Sequence, residues 1–146
     1  MTTINGLTTL IGRILLSAIF IFSGWGKIVD IAETSATIGR SGLPEALAWP
    51  VAFFELIGGL FILAGVFTRA TAILFAGFCL ITALMFHTNF AEPVQLVMFL
   101  KNVAIAGGFL VLASDPANPY SMDHFWAGKA QTELDVPPGT ASTSEG

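Results

Sequence analysis

Apolar residues run almost unbroken through four stretches, Leu7–Gly26, Ala46–Val66, Ala70–Phe86 and Val94–Ala113, with polar residues gathered between them. The hydrocarbon core of a bilayer takes about 20 apolar residues per helix, so the stretches have the length of membrane spans. None carries the polar face that water would demand of a helix in a soluble bundle. The pattern predicts an all-α fold: a bundle of four transmembrane helices. Between the spans, Asp30–Arg40 is polar enough to leave the membrane and reads as a polar loop or short surface helix stopped by Gly42 and Pro44. Phe67-Thr68-Arg69 makes a very tight turn, and His87–Pro93 is the next loop. No Lys or Arg precedes Arg13, so the basic lead of a cleaved signal peptide is missing and the first span reads as retained. Beyond Lys129 the chain turns to Thr, Ser, Pro, Gly and Glu, which offset little ordering entropy by burial. The domain reading is therefore a transmembrane domain over residues 1–130 and a disordered tail over Gln131–Gly146, with Phe125 and Trp126 laying a brief segment on the interface.

Composition sharpens this picture. Of 146 residues, 54% are hydrophobic and 11% charged, well under half of the roughly 25% charge of a soluble domain. Thirteen Phe and fifteen Gly suit helices packed in lipid, where small residues let backbones approach. A net charge of −4 offers no basic patch, which sets nucleic acid aside as a partner. The single cysteine, Cys79, allows no internal disulfide, no CxxC pair and no cysteine-rich metal site, and reads as a small buried hydrophobe. No motif for a metal, haem or flavin is present.

Two spans hold a charge that costs roughly 2.5–3.5 kcal/mol even on lenient insertion scales: Glu55 in the second and Lys101 in the fourth. With side A taken as the membrane face of the N-terminus and side B as the opposite one, Glu55 lies about 13 Å and Lys101 about 10 Å from side B at 1.5 Å per residue. Charges of opposite sign at matching depth are expected to face each other across the bundle. Each sits on the small-residue face of its helix by the i, i+3, i+4 rule, and each is followed by a glycine pair, Gly58-Gly59 or Gly107-Gly108, read first as a packing device. Lys27 and His87 fall at the side B ends of their helices, with Asn102, Trp25 and Trp49 nearby. Arg13, roughly 20 Å from side B, would reach Glu55 or snorkel to side A. The expectation is a polar chamber opening to side B. Glu55, His87 and Lys101 would form a proton and charge site, and Lys27, Asn102, Arg13 and Trp25 would bind substrate. The plainer alternatives are a structural ion pair that fixes helix register and a His87 that only caps its helix. Asp123 reads as an anchor for the exit of the fourth helix. His87 and His124 fall on opposite sides of the membrane, so they cannot serve one haem iron. Counting cations, Arg69 and Lys129 with Arg13 on side A against Lys27 and Arg40 beside acids on side B, slightly favours both termini in the cytoplasm.

These residues, in this order, resemble the DoxX family of small four-helix membrane proteins. The motifs that carry the resemblance are Arg13, Ser23-Gly24-Trp25-Gly26-Lys27, Phe54-Glu55-Leu56-Ile57-Gly58-Gly59, Gly65-Val66-Phe67-Thr68-Arg69, His87, Lys101-Asn102 and Tyr120-Ser121-Met122-Asp123. It covers about the first 125 residues and leaves the tail outside. It implies a bacterial inner membrane and a place in oxidoreductase systems linked to quinone reduction.

Two classes of function follow. In the first, the protein is the membrane subunit of a quinone-linked oxidoreductase. Glu55 and His87 would exchange protons, and the lysines with Asn102 would polarise carbonyl oxygens. The chain encodes no electron-carrying cofactor, so electrons would come from a partner subunit. In the second it is a scaffold or assembly factor without chemistry of its own. A small transporter would need the protein to form a homo-oligomer, because four short helices leave little room for alternating access.

Overall fold

Each predicted span becomes a helix whose ends lie within a few residues of the apolar stretch. The computed structural model describes residues 3–114 and 118–134. In chain order the helices are α1 (Thr3–Val29), α2 (Ile31–Arg40), a single 3₁₀ turn (Glu45–Leu47), α3 (Ala48–Ala64), α4 (Thr68–Phe86), α5 (Pro93–Ser114) and α6 (Met122–Leu134). Among the described residues, α1, α3 with its leading 3₁₀ turn, α4 and α5 are long and apolar enough to cross a membrane. The fold is all-α, as the hydropathy pattern predicts.

Local chemistry sets the breaks. Asp30 caps α2, its Oδ1 accepting from the Glu33 N–H at 3.2 Å, as a short acidic side chain does at a helix start. Past its end, Gly42 takes φ +80°. Between α3 and α4, the Val66 N–H reaches the Phe61 carbonyl at 2.9 Å and the Gly65 N–H reaches that of Ile62 at 3.2 Å. This 6→1, 5→2 pair closes a helix through a left-handed residue, here Gly65 at φ +71°. Pro93 opens α5, where a missing N–H is harmless.

The spans pack as two close pairs, α1 on α3 and α4 on α5, with much thinner contact between the pairs. The first pair is close because Gly24 of α1 lies directly on the α3 backbone: a Cβ there would sit 2.5 Å from the Leu56 nitrogen. Gly59 returns the fit from α3, where a Cβ would meet Ile21 at 2.9 Å. The two pairs are joined by rings. Phe75 packs at centroid distances of 4.2 Å from Phe20, 5.0 Å from Phe54 and 5.2 Å from Phe109, and Phe54 reaches Phe78 at 5.1 Å. The glycine pair of α5 does not repeat the packing of Gly58-Gly59. Gly108 touches Leu16, but nothing lies near Gly107.

On side A the membrane ends are tied together. Arg13 is 1% exposed. It donates through Nε to the Ile62 carbonyl at 3.0 Å, through Nη2 to that of Leu63 at 2.6 Å and through Nη1 to that of Tyr120 at 3.2 Å. A cation on the last carbonyls of α3 meets the negative end of that helix. The complementary charge sits one turn of chain away, where the Asp123 carboxylate accepts from the Phe67 and Thr68 N–H groups, both at 2.8 Å, at the start of α4. Asn118 donates to the Gly6 carbonyl at 2.9 Å and so fixes the start of α1 to the same knot. Asp123 therefore anchors the α3–α4 turn as well as the chain leaving α5. Helix α6 runs on through Gln131 to Leu134, into the segment read as tail. Lys129-Ala130-Gln131 are good helix formers, a propensity that the polar composition of the segment hides. The remainder of the expected tail, 135–146, lies outside the described residues.

Candidate functional site

On side B the same four helices and α2 line a mainly apolar pocket that holds a few polar groups. It begins with Lys27 in the last turn of α1. Helical side chains lean toward the N-terminus of their helix, and for α1 that direction is down into the bilayer. The Lys27 ammonium accordingly reaches back one turn to donate to Ser23 Oγ at 2.6 Å and, across the α1–α3 contact, to Glu55 Oε2 at 2.7 Å. Gly24 makes the second bond possible, because it lets the α3 backbone lie against α1 just where Glu55 projects. Glu55 is 4% exposed. A buried carboxylate needs a paired and hydrogen-bonded partner to stay in such a place, and Lys27 supplies one.

The ion pair stands in the wall of a cavity of about 710 Å³, within the range of pockets that hold small molecules. Its floor is aromatic, made by Phe20 and Phe78. Cys79 and Thr82 of α4 and Lys101, Asn102 and Ile105 of α5 form the far side. Amphipathic α2 covers the aqueous end through Thr34, Thr37 and Ile38. At the edge, His87 Nδ1 lies 2.8 Å from Gln95 Oε1. With the Gln95 amide oxygen as acceptor, the Nδ1–H tautomer of His87 fits this contact.

The cavity thus brings together Lys27, Glu55, His87, Lys101 and Asn102, but the expected pairing is different. Glu55 is bonded to Lys27, not to Lys101. Lys101 is exposed, and its ammonium lies 3.3 Å from Met98 Sδ. Asn102 turns its amide back to the Met98 carbonyl at 3.2 Å. Counting helical rise measures where the backbone is and ignores that a four-carbon stem from the end of α1 points inward. Two other expected members are elsewhere. Arg13 leans toward side A for the same geometric reason and serves the knot there, so it is not a ligand-binding residue of the chamber. Trp25, 60% exposed, sits two residues beyond Ser23 on the opposite face of α1 and does not line the cavity. The residues that sequence reasoning passed over are Ser23 and Gln95, which hold Lys27 and His87. The four-residue spacing of Ser23 and Lys27 was the available signal; the His87–Gln95 contact bridges a loop and left none. Among the described residues no group of three or more His, Cys, Asp or Glu side chains gathers where it could hold a metal ion.

Comparison with known proteins now places the chain. The DoxX family profile matches residues 8–88, more than half of its length. The inner membrane protein YqjF of Escherichia coli (strain K12) is 45% identical over 123 residues, which cover 84% of this chain and 95% of that protein. The inner membrane protein YphA of the same organism is 33% identical over 121 residues, 78% of this chain and 86% of that one. A Bacillus subtilis (strain 168) protein named "Putative oxidoreductase CatD" is 37% identical over 68 residues, 47% of this chain and 51% of its own. No solved structure matches. The motifs, the four spans and these relatives agree: this chain is a multi-pass inner-membrane protein and belongs to the DoxX family.

Proposed function

We propose that the protein is the membrane subunit of a quinone-linked oxidoreductase system, with the side B cavity as the site for the quinone headgroup. The observation that carries the reading is the Lys27–Glu55 pair in the wall of an aromatic-floored cavity. Rings suit a flat conjugated head, since aromatic pairs stack or meet edge to face. Ammonium groups suit its carbonyl oxygens, because fixed donors in a dry site are worth more than in water. The oxidoreductase name of one relative points the same way. Such a headgroup supplies two-electron, two-proton acceptor chemistry, with the electrons delivered by a partner protein. This chain's own task is to bind, orient and manage protons. Lys27 and Lys101 are the donors toward carbonyl oxygen, and Phe20 and Phe78 support the ring. Glu55 and His87 are the groups placed to exchange protons with the head. A scaffold alone would leave this cavity without a role. We read both termini as cytoplasmic, from Arg13, Arg69 and Lys129 toward side A against Lys27 and Arg40 on side B, which opens the cavity outward.

The test is a menadione or ubiquinone titration of the protein in nanodiscs. Glu55→Gln keeps the shape but removes the charge that Lys27 answers, and is expected to weaken binding at least tenfold. Equal affinity in wild type and variant ends the reading.

A further inference from the structure

The walls of the cavity are not equally closed. Toward side A its floor is sealed by the phenylalanine cluster, and toward the water α2 lies across it, seated by Ile38 at 6% exposed. One side is different. Both seams between the close pairs, α3–α4 and α1–α5, are thin, but α3 and α4 are bridged nearer side B, by the Phe54 and Phe78 rings at 5.1 Å, than are α1 and α5. They meet where Leu16 lies over Gly108 and where the Phe20 and Phe109 rings stand 5.4 Å apart. From there toward side B, their facing residues line the cavity instead: Ile19, Phe22 and Ser23 on α1, Lys101, Asn102 and Ile105 on α5. Phe22 and Ile19 are at once cavity-lining and 77% and 39% exposed, so this seam is continuous with the lipid-facing surface. Lys101 lies exposed in the same seam, about 12 Å along α5 from its start at Pro93, a depth at which an ammonium facing lipid alone is costly.

We infer that the ligand enters sideways from the outer part of the bilayer through the α1–α5 seam, and that its class is a carbonyl-bearing head on a long apolar tail. The inference rests on the quinone reading above and adds the route and the tail. The head passes Lys101, turns toward Lys27 and Glu55 over the aromatic floor, and leaves the tail lying outward between Ile19 and Ile105. The tail stays among hydrocarbon throughout, so no apolar surface meets water and only the head exchanges its surroundings. A water-soluble ligand would instead have to lift α2. Lys101 then has a place in the entry path rather than in a fixed pair, which accounts for its lack of a carboxylate partner among the described residues.

The experiment uses the full chain in nanodiscs with two probes that share a head, decylubiquinone and its tail-less counterpart ubiquinone-0. Ile19→Phe narrows the seam at an exposed position without touching the ion pair. It is expected to weaken decylubiquinone at least tenfold and to leave ubiquinone-0 within twofold, the second ligand also reporting that the variant is folded. A decylubiquinone carrying a diazirine at the end of its tail is expected to label α1 and α5 in the wild type. Labelling of α2 or of 41–47, or an Ile19→Phe effect that is equal for both probes or absent, overturns the lateral route while leaving the site intact. If neither probe binds the wild type, or if Glu55→Gln binds both as the wild type does, the quinone reading falls and the route with it.

Discussion

The two ends of the bundle carry charge in opposite ways. On side A, Arg13 and Asp123 are each committed to backbone groups: the guanidinium to three carbonyls, the carboxylate to two N–H groups at the start of α4. Side chain and backbone satisfy one another, and the pocket beside this knot is the smaller one, about 410 Å³ over Phe67, Thr68, Asp123 and His124. On side B, Lys27 and Glu55 are committed mainly to each other, and beside them lies a cavity of about 710 Å³. The contrast separates two uses of a costly intramembrane charge. A charge that satisfies helix ends holds the fold, whereas a charge pair beside open space is available to something that enters.

The comparison is broken most readily from side A. Arg13→Leu leaves the Ile62, Leu63 and Tyr120 carbonyls without their donor, and charged hydrogen bonds contribute about 1.5–3 kcal/mol each. Such bonds are not additive, and the expected loss is about 3–5 kcal/mol, as for one partner removed from a buried charged contact, read from reversible unfolding in mixed micelles. Arg13→Lys should recover only part of it, because one ammonium cannot span three carbonyls as the planar fork does. Next in size is Asp123→Ala, which uncaps α4 and is expected to cost about 1–2 kcal/mol.

The side B pair should behave otherwise. Replacing both partners together, Lys27→Met with Glu55→Leu, removes the attraction and the desolvation cost in one step, and such exchanges are often neutral or stabilising. The expected stability is within about 1 kcal/mol of wild type, with quinone affinity lost. A double variant as unstable as Arg13→Leu would show that the pair holds the fold as the knot does, and the distinction between the two ends would disappear.

How much of this was legible in the sequence divides along the same line. The spans were, because a helix surrounded by lipid is apolar on every side, and the surface helix was, because Asp30 and Gly42 mark its ends. The membership of the cavity was read correctly for Lys27, Glu55, His87, Lys101 and Asn102, since these are polar groups near one membrane face. The partners were not. Whether Glu55 meets Lys101 or Lys27 depends on a backbone approach at Gly24 so close that a Cβ there would sit 2.5 Å from the Leu56 nitrogen, and on the inward lean of a side chain from the end of α1. Neither enters a count of residues along a helix. For Arg13 the turn toward side A was one of two routes open to it, and its role as a lock depends on carbonyls of Ile62 and Leu63 that any residue there would provide.

The smallest expected effect tests the cover of the cavity. On the exposed face of α2, Arg40 donates to Glu33 Oε1 at 2.6 Å. That hydrogen bond, with the Arg40 charge and the Thr37 hydroxyl behind it, holds the Glu33 carboxyl below the ordinary carboxylate range. A carboxyl lowered on folding stabilises only while ionised. Its contribution is complete above the ordinary carboxylate range and fades as pH falls through the lowered value. Because the pair is fully in water, the effect is small and screened by salt. Protection factors of the Ile31–Arg40 amides are therefore expected to fall on acidification more in wild type than in Arg40→Gln, a variant that leaves the Asp30 cap in place, while those of α1 and α3 hold steady. The difference between the two proteins should shrink at high salt. An equal response in both would mean that Glu33 and Arg40 do not hold α2 over the cavity, and that Ile38 alone seats it there.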